Sequence, residues 1–233
     1  SKESTSKVYS AVIIAKNEAS TIGSCIAALM QVTGDVIVVL DDRSTDETEQ
    51  IALALGAQVY RKSWAGYSAN KNFGISKAKN DWILCPDADE VLDETLIAGL
   101  KDLNPDVKSV YEVNRQTYFG GYAVKHCGWF PDWNIRLFNK TIMKWNDHFV
   151  HEKLISEKPL IHQRMAGLIQ HYSFTNESQM RSKFDTYARL RAEEWHNTGK
   201  KPSMMKQWVG PYFRFFRTYI LKLGILDGAV GFT

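Results

Sequence analysis

The chain has 233 residues, which is long enough for one large domain with a substantial core or for one domain with a small appendage. Its 44% hydrophobic and 24% charged residues are ordinary for a folded protein, and the net charge is only +3. Three scattered cysteines are too few for a disulfide framework or a zinc site, no apolar stretch approaches the roughly 18 residues that span a bilayer, and no signal peptide is visible.

The first half of the chain alternates apolar, β-branched runs with helical patterns. Strands are predicted at Val8–Ala15, Asp35–Leu40, Gln58–Arg61 and Trp82–Cys85, and helices at Ser20–Gln31, Thr45–Leu55 and Ala65–Lys79. Strands that are apolar throughout are buried on both faces, so this spacing predicts βαβ units around a parallel sheet. Ser44, followed three residues later by Glu47, predicts a capping box at the second helix.

Polar clusters follow three of these strands. They are Lys16-Asn17-Glu18, Asp41-Asp42 and Asp87–Glu90. In parallel sheets the ligand binds at the carboxyl ends of the strands, so the three clusters predict one site. Neither a GxGxxG motif nor a P-loop occurs, which argues against dinucleotide binding and Walker-type phosphate binding.

The tetrapeptide Asp87-Ala88-Asp89-Glu90 is the most informative of these clusters. Two carboxylates at i and i+2 lie on one side of a strand tip, where they can share a hard divalent cation. Because Mg²⁺ is usually completed by phosphate oxygens and water, this pair predicts a metal-assisted reaction of a diphosphate. The alternative is a strand followed by acidic caps of a helix at Asp93–Lys101.

These motifs carry a family resemblance. The sequences AKNE, LDDRSTDET and AGYSANKNFGISKAKNDWILCPDADE resemble the inverting family 2 glycosyltransferases of the GT-A fold, closely from Val8 to Leu100. The later sequences HCGWFPDWNIRLFNK, FVHEKL and HYSF, with a basic C-terminal helix, resemble bacterial enzymes that add glucose or similar sugars to lipopolysaccharide core. The resemblance implies an α/β GT-A nucleotide-diphospho-sugar transferase fold, with a mostly parallel central sheet flanked by helices and a helical C-terminal appendage.

The expected domain organisation has three parts. Residues 1–7 are polar and lack an initiator Met, so we expect a disordered segment or a cloning remnant. Residues 8–175 form the catalytic domain, with a nucleotide-binding half at 8–100 and an acceptor half at 101–175. Residues 176–233 form a helical, basic and aromatic extension.

The resemblance implies roles for the residues that bind the nucleotide. Asp42 would accept a hydrogen bond from the uracil ring, and its neighbour Asp41 could exchange roles with it. Asn17 and Glu18 would lie at the base and ribose edge. Arg43 stands where many relatives carry Gly, which puts the local turn in question.

The resemblance also implies how the diphosphate of a UDP-sugar donor is held. Lys71 would approach the diphosphate, unless it shares a solvated helix face with Lys77 and Lys79. Asp87 and Asp89 form the DxD pair. Asp89 would bind the divalent metal, Mg²⁺ or Mn²⁺, while Asp87 would lie near the ribose or the metal.

A carboxylate beyond the DxD pair should act as the catalytic base, and Asp132 is the first candidate. Trp129 and Trp133 flank it and could stack on sugar faces. Pro-Asp is also a common turn pair, so Glu152 and Asp147 are reserves.

A late histidine completes the metal shell in many GT-A enzymes. His151 or His171 could fill that role, although either could equally be a loop histidine satisfied by hydrogen bonds. Arg136 could contact a phosphate or the acceptor saccharide, or pair with an acidic residue.

The C-terminal third is basic and aromatic. Helical patterns cover Glu177–Asn197 and Ser203–Leu223, and the second helix has Tyr212, Phe216, Tyr219 and Leu223 at helical spacing, with Arg214, Arg217 and Lys222 among them. Such a helix suits an anionic membrane surface, but it could instead pack on the catalytic domain or on a second subunit. The wide apolar face argues against nucleic acid as the partner.

The predicted function is therefore metal-dependent, inverting transfer of a hexose, glucose from UDP-glucose, to a lipid-linked saccharide or glycolipid acceptor. The alternatives are a non-catalytic nucleotide-sugar or glycan-binding module on the same fold and a nucleotidyltransferase. Cys25 and Cys85 lie in apolar runs and fit reduced cysteines of a cytoplasmic protein. The resemblance and the basic C-terminal helix imply a peripheral position on the inner face of the bacterial inner membrane.

Overall fold

The structure is a computed structural model that describes residues 8–146, 153–157, 159–174, 177–199 and 204–232. The strands are β1 (Tyr9–Ala15), β2 (Val36–Asp41), β3 (Gln58–Lys62), β4 (Trp82–Leu84), β5 (Glu90–Leu92), β6 (Ser109–Phe119), β7 (Tyr122–Ala123), β8 (Trp133–Asn139), β9 (Lys144–Trp145), β10 (Leu154–Ile155) and β11 (Ile161–Phe174). The helices are α1 (Ile22–Met30), α2 (Thr48–Ala54), α3 (Tyr67–Lys77), α4 (Glu94–Asp102), α5 (Glu177–Asn197), α6 (Met204–Phe215) and α7 (Gly228–Phe232), with a π-helical segment at Phe216–Leu221 and a 3₁₀ turn at Gly224–Asp227.

The central sheet has the order β3-β2-β1-β4-β8-β6-β11-β5, with β7 paired to β6. The predicted parallel arrangement is confirmed for β3, β2, β1 and β4, whereas β8 runs antiparallel to both β4 and β6. The chain moves outward from β1 to β3 and then returns to place β4 on the other side of β1. The order therefore reverses between β1 and β4, which is where ligands bind in open α/β sheets.

The inner strands β1 and β2 are buried on both faces, as their apolar sequences predict, whereas the edge strand β3 is partly exposed. All six residues of β2 are buried. Val38 and Leu40 pack into one cluster with α1, while Ile37 and Val39 pack into a second cluster with Ile75 of α3. Helices on both faces thus hold the carboxyl ends of the strands in fixed positions.

The predicted capping box at Ser44 and Glu47 is wrong. Helix α2 begins at Thr48, and Asp46 Oδ1 accepts hydrogen bonds from the Thr48 amide at 3.1 Å and the Thr48 hydroxyl at 2.5 Å. Ser44 lies in the turn after β2, where its hydroxyl is bonded to Asn17 in the loop after β1. The hydroxyl is therefore used between two loops rather than at the helix start.

The chain divides into two compact units. The first contains the residues up to Arg115 together with Trp133–Gln170, and the second contains Gln116–Asp132 together with the residues from His171 onward. Within the second unit, buried Asp227 accepts hydrogen bonds from the backbone and ring nitrogens of His126 at 2.7 and 2.8 Å, which ties the C-terminal segment to the loop after β7.

Over the described ranges, no helix has the length and apolar character of a membrane span. Cys25 and Cys85 are buried and unbridged, as predicted.

Candidate active site at the carboxyl ends of the parallel strands

Hydrogen bonds join the loop after β1 to the loop after β2. Three successive amides, those of Asn17, Glu18 and Ala19, donate to Ser44 Oγ at 2.9 Å, Thr48 Oγ1 at 2.8 Å and Asp46 Oδ2 at 3.0 Å. Asn17 has a φ of 54°, in the left-handed region that asparagine tolerates better than most residues. Because the side chains of Ser44, Asp46 and Thr48 accept hydrogen bonds from these amides, the three amides of the loop after β1 are not available to bind a phosphate. This agrees with the absence of a P-loop from the sequence.

The two aspartates after β2 have different environments. Asp41 is buried, and Arg43 donates to its carboxylate from Nε at 2.9 Å and from Nη2 at 2.6 Å. The hydrogen bonds from Arg43 lower the pKa of Asp41 to about 2. Asp42 is exposed and accepts a hydrogen bond from the Ser63 hydroxyl. Of the predicted pair, Asp42 is therefore the carboxylate that a ligand can reach.

Asp87 lies between two buried cations. Lys71 Nζ is 3.6 Å from Asp87 Oδ1, and Arg136 Nη2 is 3.1 Å from Asp87 Oδ2. The Lys71 side chain is only 3% exposed and its ammonium lies 4.4 Å from the centre of the Trp145 ring. Lys71 is therefore not part of a solvated helix face, and the alternative that grouped it with Lys77 and Lys79 is excluded.

Strand pairing explains why Arg136 reaches this position. β8 runs antiparallel to β4, and the Cys85 amide donates to the Arg136 carbonyl at 2.8 Å, just beyond the end of β4. Arg136 also donates to Glu90 Oε1 at 2.5 Å. Burial lowers the pKa of Arg136, but the attraction of Glu90 and Asp87 outweighs it and raises that pKa above its ordinary value. Of the alternatives for Arg136, pairing with an acidic residue is observed, and contact with a phosphate or the acceptor saccharide stays a prediction.

Cys25 of α1 supports the same turn from the core. Its thiol donates to the Asp87 carbonyl, with Sγ 3.6 Å from the oxygen. Burial is the main cause that raises the pKa of Cys25 well above its ordinary value, and Glu90 and Asp89 add to it. The sulfur therefore stays a neutral thiol that can donate this hydrogen bond at physiological pH.

A pocket opens beside these charges within the first unit. Its volume is about 490 Å³, and Lys71, Asp87, Arg115, Trp133, Arg136 and Trp145 are among its lining residues. Pockets of roughly 300–1,000 Å³ hold small-molecule ligands. Arg164 places its guanidinium 4.6 Å from the centre of the Trp133 ring, which orients that ring. The pocket combines fixed positive charge with aromatic faces.

The DxD pair is compatible with a divalent cation. Asp87 and Asp89 are both partly exposed, and no third histidine, cysteine or acidic residue joins them into a metal-binding group within the part of the chain that the structure describes. Mg²⁺ is commonly held by one or two carboxylates together with substrate phosphates and water. Two carboxylates therefore suffice for a metal that arrives with a diphosphate.

Other predicted site residues stay predictions. Asp132 and Trp129 lie in the second unit, as does His171, whose ring nitrogens are within 2.9 Å of the Ser173 hydroxyl. The reserve bases Glu152 and Asp147 and the alternative metal ligand His151 fall outside the described residues.

Several site residues were missed by sequence reasoning. Ser44, Asp46 and Thr48 join the two strand-end loops, and Glu90 binds both Arg136 and the Asp87 amide. The signal was present because all four lie inside the motifs LDDRSTDET and DADE. Spacing alone, however, does not reveal which side chain turns inward.

Comparison with known proteins finds glycosyltransferases among those similar to this chain. The chain is similar to a protein of Rickettsia bellii (strain RML369-C) described as an uncharacterized glycosyltransferase, with 30% identity over 99% of this chain and 82% of the relative. It is also similar to the lipopolysaccharide core biosynthesis glycosyltransferase LpsC of Rhizobium meliloti (strain 1021), with 27% identity over 90% of this chain and 80% of LpsC.

Among solved structures, S. aureus TarS 1-349 in complex with UDP aligns at a TM-score of 0.47 and 15% identity, covering 67% of this chain and 60% of that one. The model of Glycosyl transferase family 2 matches residues 10–187. That match covers the joined strand-end loops, the DxD pair and the pocket, so this chain belongs to glycosyl transferase family 2 and is a glycosyltransferase.

Proposed function

We propose that this glycosyltransferase moves a hexose, glucose from UDP-glucose, to a lipid-linked saccharide such as lipopolysaccharide core, with inversion at the anomeric carbon. One observation carries the proposal: the exposed Asp42 follows β2 and Asp87 follows β4, two strands that both run parallel to β1, and Asp87 lies beside the buried cations Lys71 and Arg136. A uracil ring needs a hydrogen-bond acceptor, and a diphosphate needs positive charge. The lipopolysaccharide function in the name of LpsC supports the choice of acceptor.

Different residues of the chain would bind different parts of the UDP-sugar donor. Asp42 accepts a hydrogen bond from the uracil ring. The clamped loop of Asn17 and Glu18 borders the base and ribose. Lys71 and Arg136 lie where they can offset the negative charge that develops on the leaving UDP.

Asp89 and Asp87 would hold Mg²⁺ or Mn²⁺ at the diphosphate. When bound, the metal supplies Lewis-acid neutralisation of the leaving group. Because Lys71 and Arg136 already offset the charge of Asp87, Asp89 is the principal carboxylate for the metal. His171 would be a further ligand of the metal.

Transfer also requires a base that removes the proton from the acceptor hydroxyl, a contribution of about 10²–10⁴-fold. Asp132 takes this role in the proposal. The Trp133 ring that lines the pocket, together with Trp129, would stack on sugar faces of the acceptor.

The C-terminal segment would hold the enzyme at the anionic inner surface of the bacterial inner membrane, where a lipid-linked acceptor is found. Large apolar side chains are exposed along it: Trp208 by 73%, Tyr212 by 78%, Phe213 by 62% and Leu221 by 64%. The exposed Arg214, Arg217 and Lys222 lie among them. Aromatic and basic residues together are typical of segments that lie in a membrane interface.

Calorimetric titration tests the donor site. UDP and UDP-glucose are titrated with Mn²⁺ and again with EDTA, and GDP and CDP serve as nucleotide controls. We expect uridine-selective binding that weakens at least about tenfold in EDTA and in Asp89→Ala. Asp81→Ala is the matched control, because this exposed carboxylate lies next to the opposite end of β4. Folded protein that binds no uridine nucleotide would contradict the proposal.

A further inference from the structure

Glu90 is a fully buried carboxylate that the proposed mechanism does not use. It begins β5 with no exposed surface. Its Oε2 accepts a hydrogen bond from the Asp87 amide at 3.0 Å. Its Oε1 accepts from Arg136 Nη2 at 2.5 Å and lies 3.6 Å from Arg115 Nη1. One side chain therefore fixes the turn of the DxD pair and orients two arginines.

Among the described contacts, these residues form a cluster of three cations and two carboxylates. Lys71, Arg115 and Arg136 are the cations, and Asp87 and Glu90 are the carboxylates. We call these five residues the cation cradle. Its cations line the pocket, whereas Glu90 does not appear in the lining.

Stability alone is a weak reason to keep such a cluster. Removing ions from water is costly, and a buried ion pair can often be replaced by apolar residues without loss of stability. An arginine held by a buried carboxylate is, however, fixed in orientation before any ligand arrives. Two arginines fixed in this way suit an anion with several oxygens, because their side chains lose little conformational freedom when the anion binds.

We propose that Glu90 is a positioning residue that holds the cation cradle in place for the β-phosphate of the nucleotide-sugar donor. The inference rests on the proposed function and deepens it. The cradle supplies positive charge to the diphosphate in addition to any metal, and it recognises a nucleoside diphosphate over a monophosphate. The uridine is bound elsewhere, at the joined loops after β1 and β2.

The test compares UDP with UMP in Glu90→Gln. Glutamine retains the shape and an acceptor for the Asp87 amide, but it loses the charge that orients Arg136 and Arg115. We expect the affinity for UDP to fall about ten- to hundredfold while the affinity for UMP is unchanged. The fall should persist in EDTA, because protein cations rather than a metal cause it. Glu94→Gln, an exposed acid in the first turn of α4, is the control and should behave as wild type.

The outcomes separate the two proposals. Equal losses for UDP and UMP would mean that Glu90 only maintains the fold, and a loss seen only with Mn²⁺ would assign it to the metal site; either result overturns the inference. Wild type that binds no uridine nucleotide would remove the donor site and the cradle with it. If thermal unfolding shows that Glu90→Gln is not folded, Arg136→Lys keeps the charge but loses the guanidinium geometry. It should lower the preference for UDP over UMP in the same way, and an unchanged preference would overturn the inference.

Discussion

At the scale of single residues, Arg43 shows how one side chain shapes the uridine end of the site. Its guanidinium binds the buried Asp41 carboxylate through two nitrogens, and its amide donates to Asp41 Oδ1 at 3.0 Å. The turn therefore closes on Asp41 and leaves Asp42 exposed. The arginine thus organises this turn.

This contact predicts how stability depends on pH. The folded-state pKa of Asp41 is lowered from 3.8 to about 2, so its ionised form stabilises the folded state above the ordinary pKa. That contribution is fully present above about pH 4 and is lost as the pH falls toward about 2. Arg43→Ala should therefore unfold at lower urea concentration than wild type at neutral pH, and the difference should shrink below pH 4.

Urea unfolding at several pH values measures this difference. Lys16→Ala is the control, since Lys16 Nζ lies 3.9 Å from Asp41 and makes no hydrogen bond of the kind that Arg43 makes. If the difference in urea unfolding between Arg43→Ala and wild type stays constant from pH 7 to below pH 3, the contact between Arg43 and ionised Asp41 is not its cause.

Residue types at strand ends were predictable, but their partners were not. The positions of Asp42 and Asp87 follow from the rule that ligands meet the carboxyl ends of parallel strands, whereas Lys71 was expected from the family resemblance. The inward turn of Glu90 depends on Arg136, which lies 46 residues away in sequence and arrives through antiparallel pairing of β8 with β4. A contact of that range leaves no local pattern. Ser44 was misread as a helix cap because its partner Asn17 lies in another loop.

At the scale of elements, α3 lies unusually close to the sheet at one glycine. A Cβ on Gly74 would lie 2.5 Å from Val12 Cγ1 in β1 and 2.9 Å from Val39 Cγ2 in β2. Both neighbours are β-branched and therefore stiff at χ1. Gly74 thus sets the distance between the sheet and α3, the helix that carries Lys71.

Gly74→Ala should consequently destabilise the fold. Overpacking a dense core costs about 1–3 kcal/mol, which exceeds the gain of about 1 kcal/mol from alanine in a helix. Gly99→Ala in α4 is the matched variant, because its Cβ would meet only Met165 Cε, at the ordinary distance of 3.7 Å. We expect Gly99→Ala to be neutral or more stable by up to about 1 kcal/mol.

Chemical denaturation of the two variants gives both free energies of unfolding. If Gly74→Ala proved as stable as Gly99→Ala, α3 could move outward without cost, and the close approach would not be a constraint.

Elements with clear periodicity were predicted well, and elements set by longer-range packing were not. The first four strands match their predictions within two residues at each end. The predicted helix at Ser203–Leu223 is described from Met204 as α6, which contains Pro211 and changes to a π-helical segment at Phe216. Proline removes a backbone donor and disturbs the preceding turn, so the local pattern of apolar residues gave the helix but not its irregular form.

At the scale of the whole molecule, charge and apolar surface are unevenly distributed along the sequence. The acidic residues of the DxD region lie in the first unit, whereas the exposed aromatic and basic residues of α6 and the segment after it lie in the second. The predicted stripe is only partly exposed, because Tyr219 stacks on Phe215 at 5.2 Å while Tyr212 and Phe216 remain exposed. An exposed aromatic surface of this size indicates an interaction site, and the neighbouring arginines favour an anionic partner.

Flotation with liposomes tests the membrane as that partner. The full chain should bind vesicles containing anionic phospholipid more tightly than zwitterionic vesicles. Arg214→Glu combined with Arg217→Glu should lower binding to anionic vesicles about thirtyfold or more, because each basic residue near such a surface contributes about 1 kcal/mol. Arg189→Glu combined with Arg191→Glu changes the net charge equally at two exposed positions of α5 and should have little effect. Equal losses in the two double variants would mean that only overall charge matters. If wild type shows no preference for anionic vesicles, the membrane proposal is wrong, and the partner of the exposed segment is a protein.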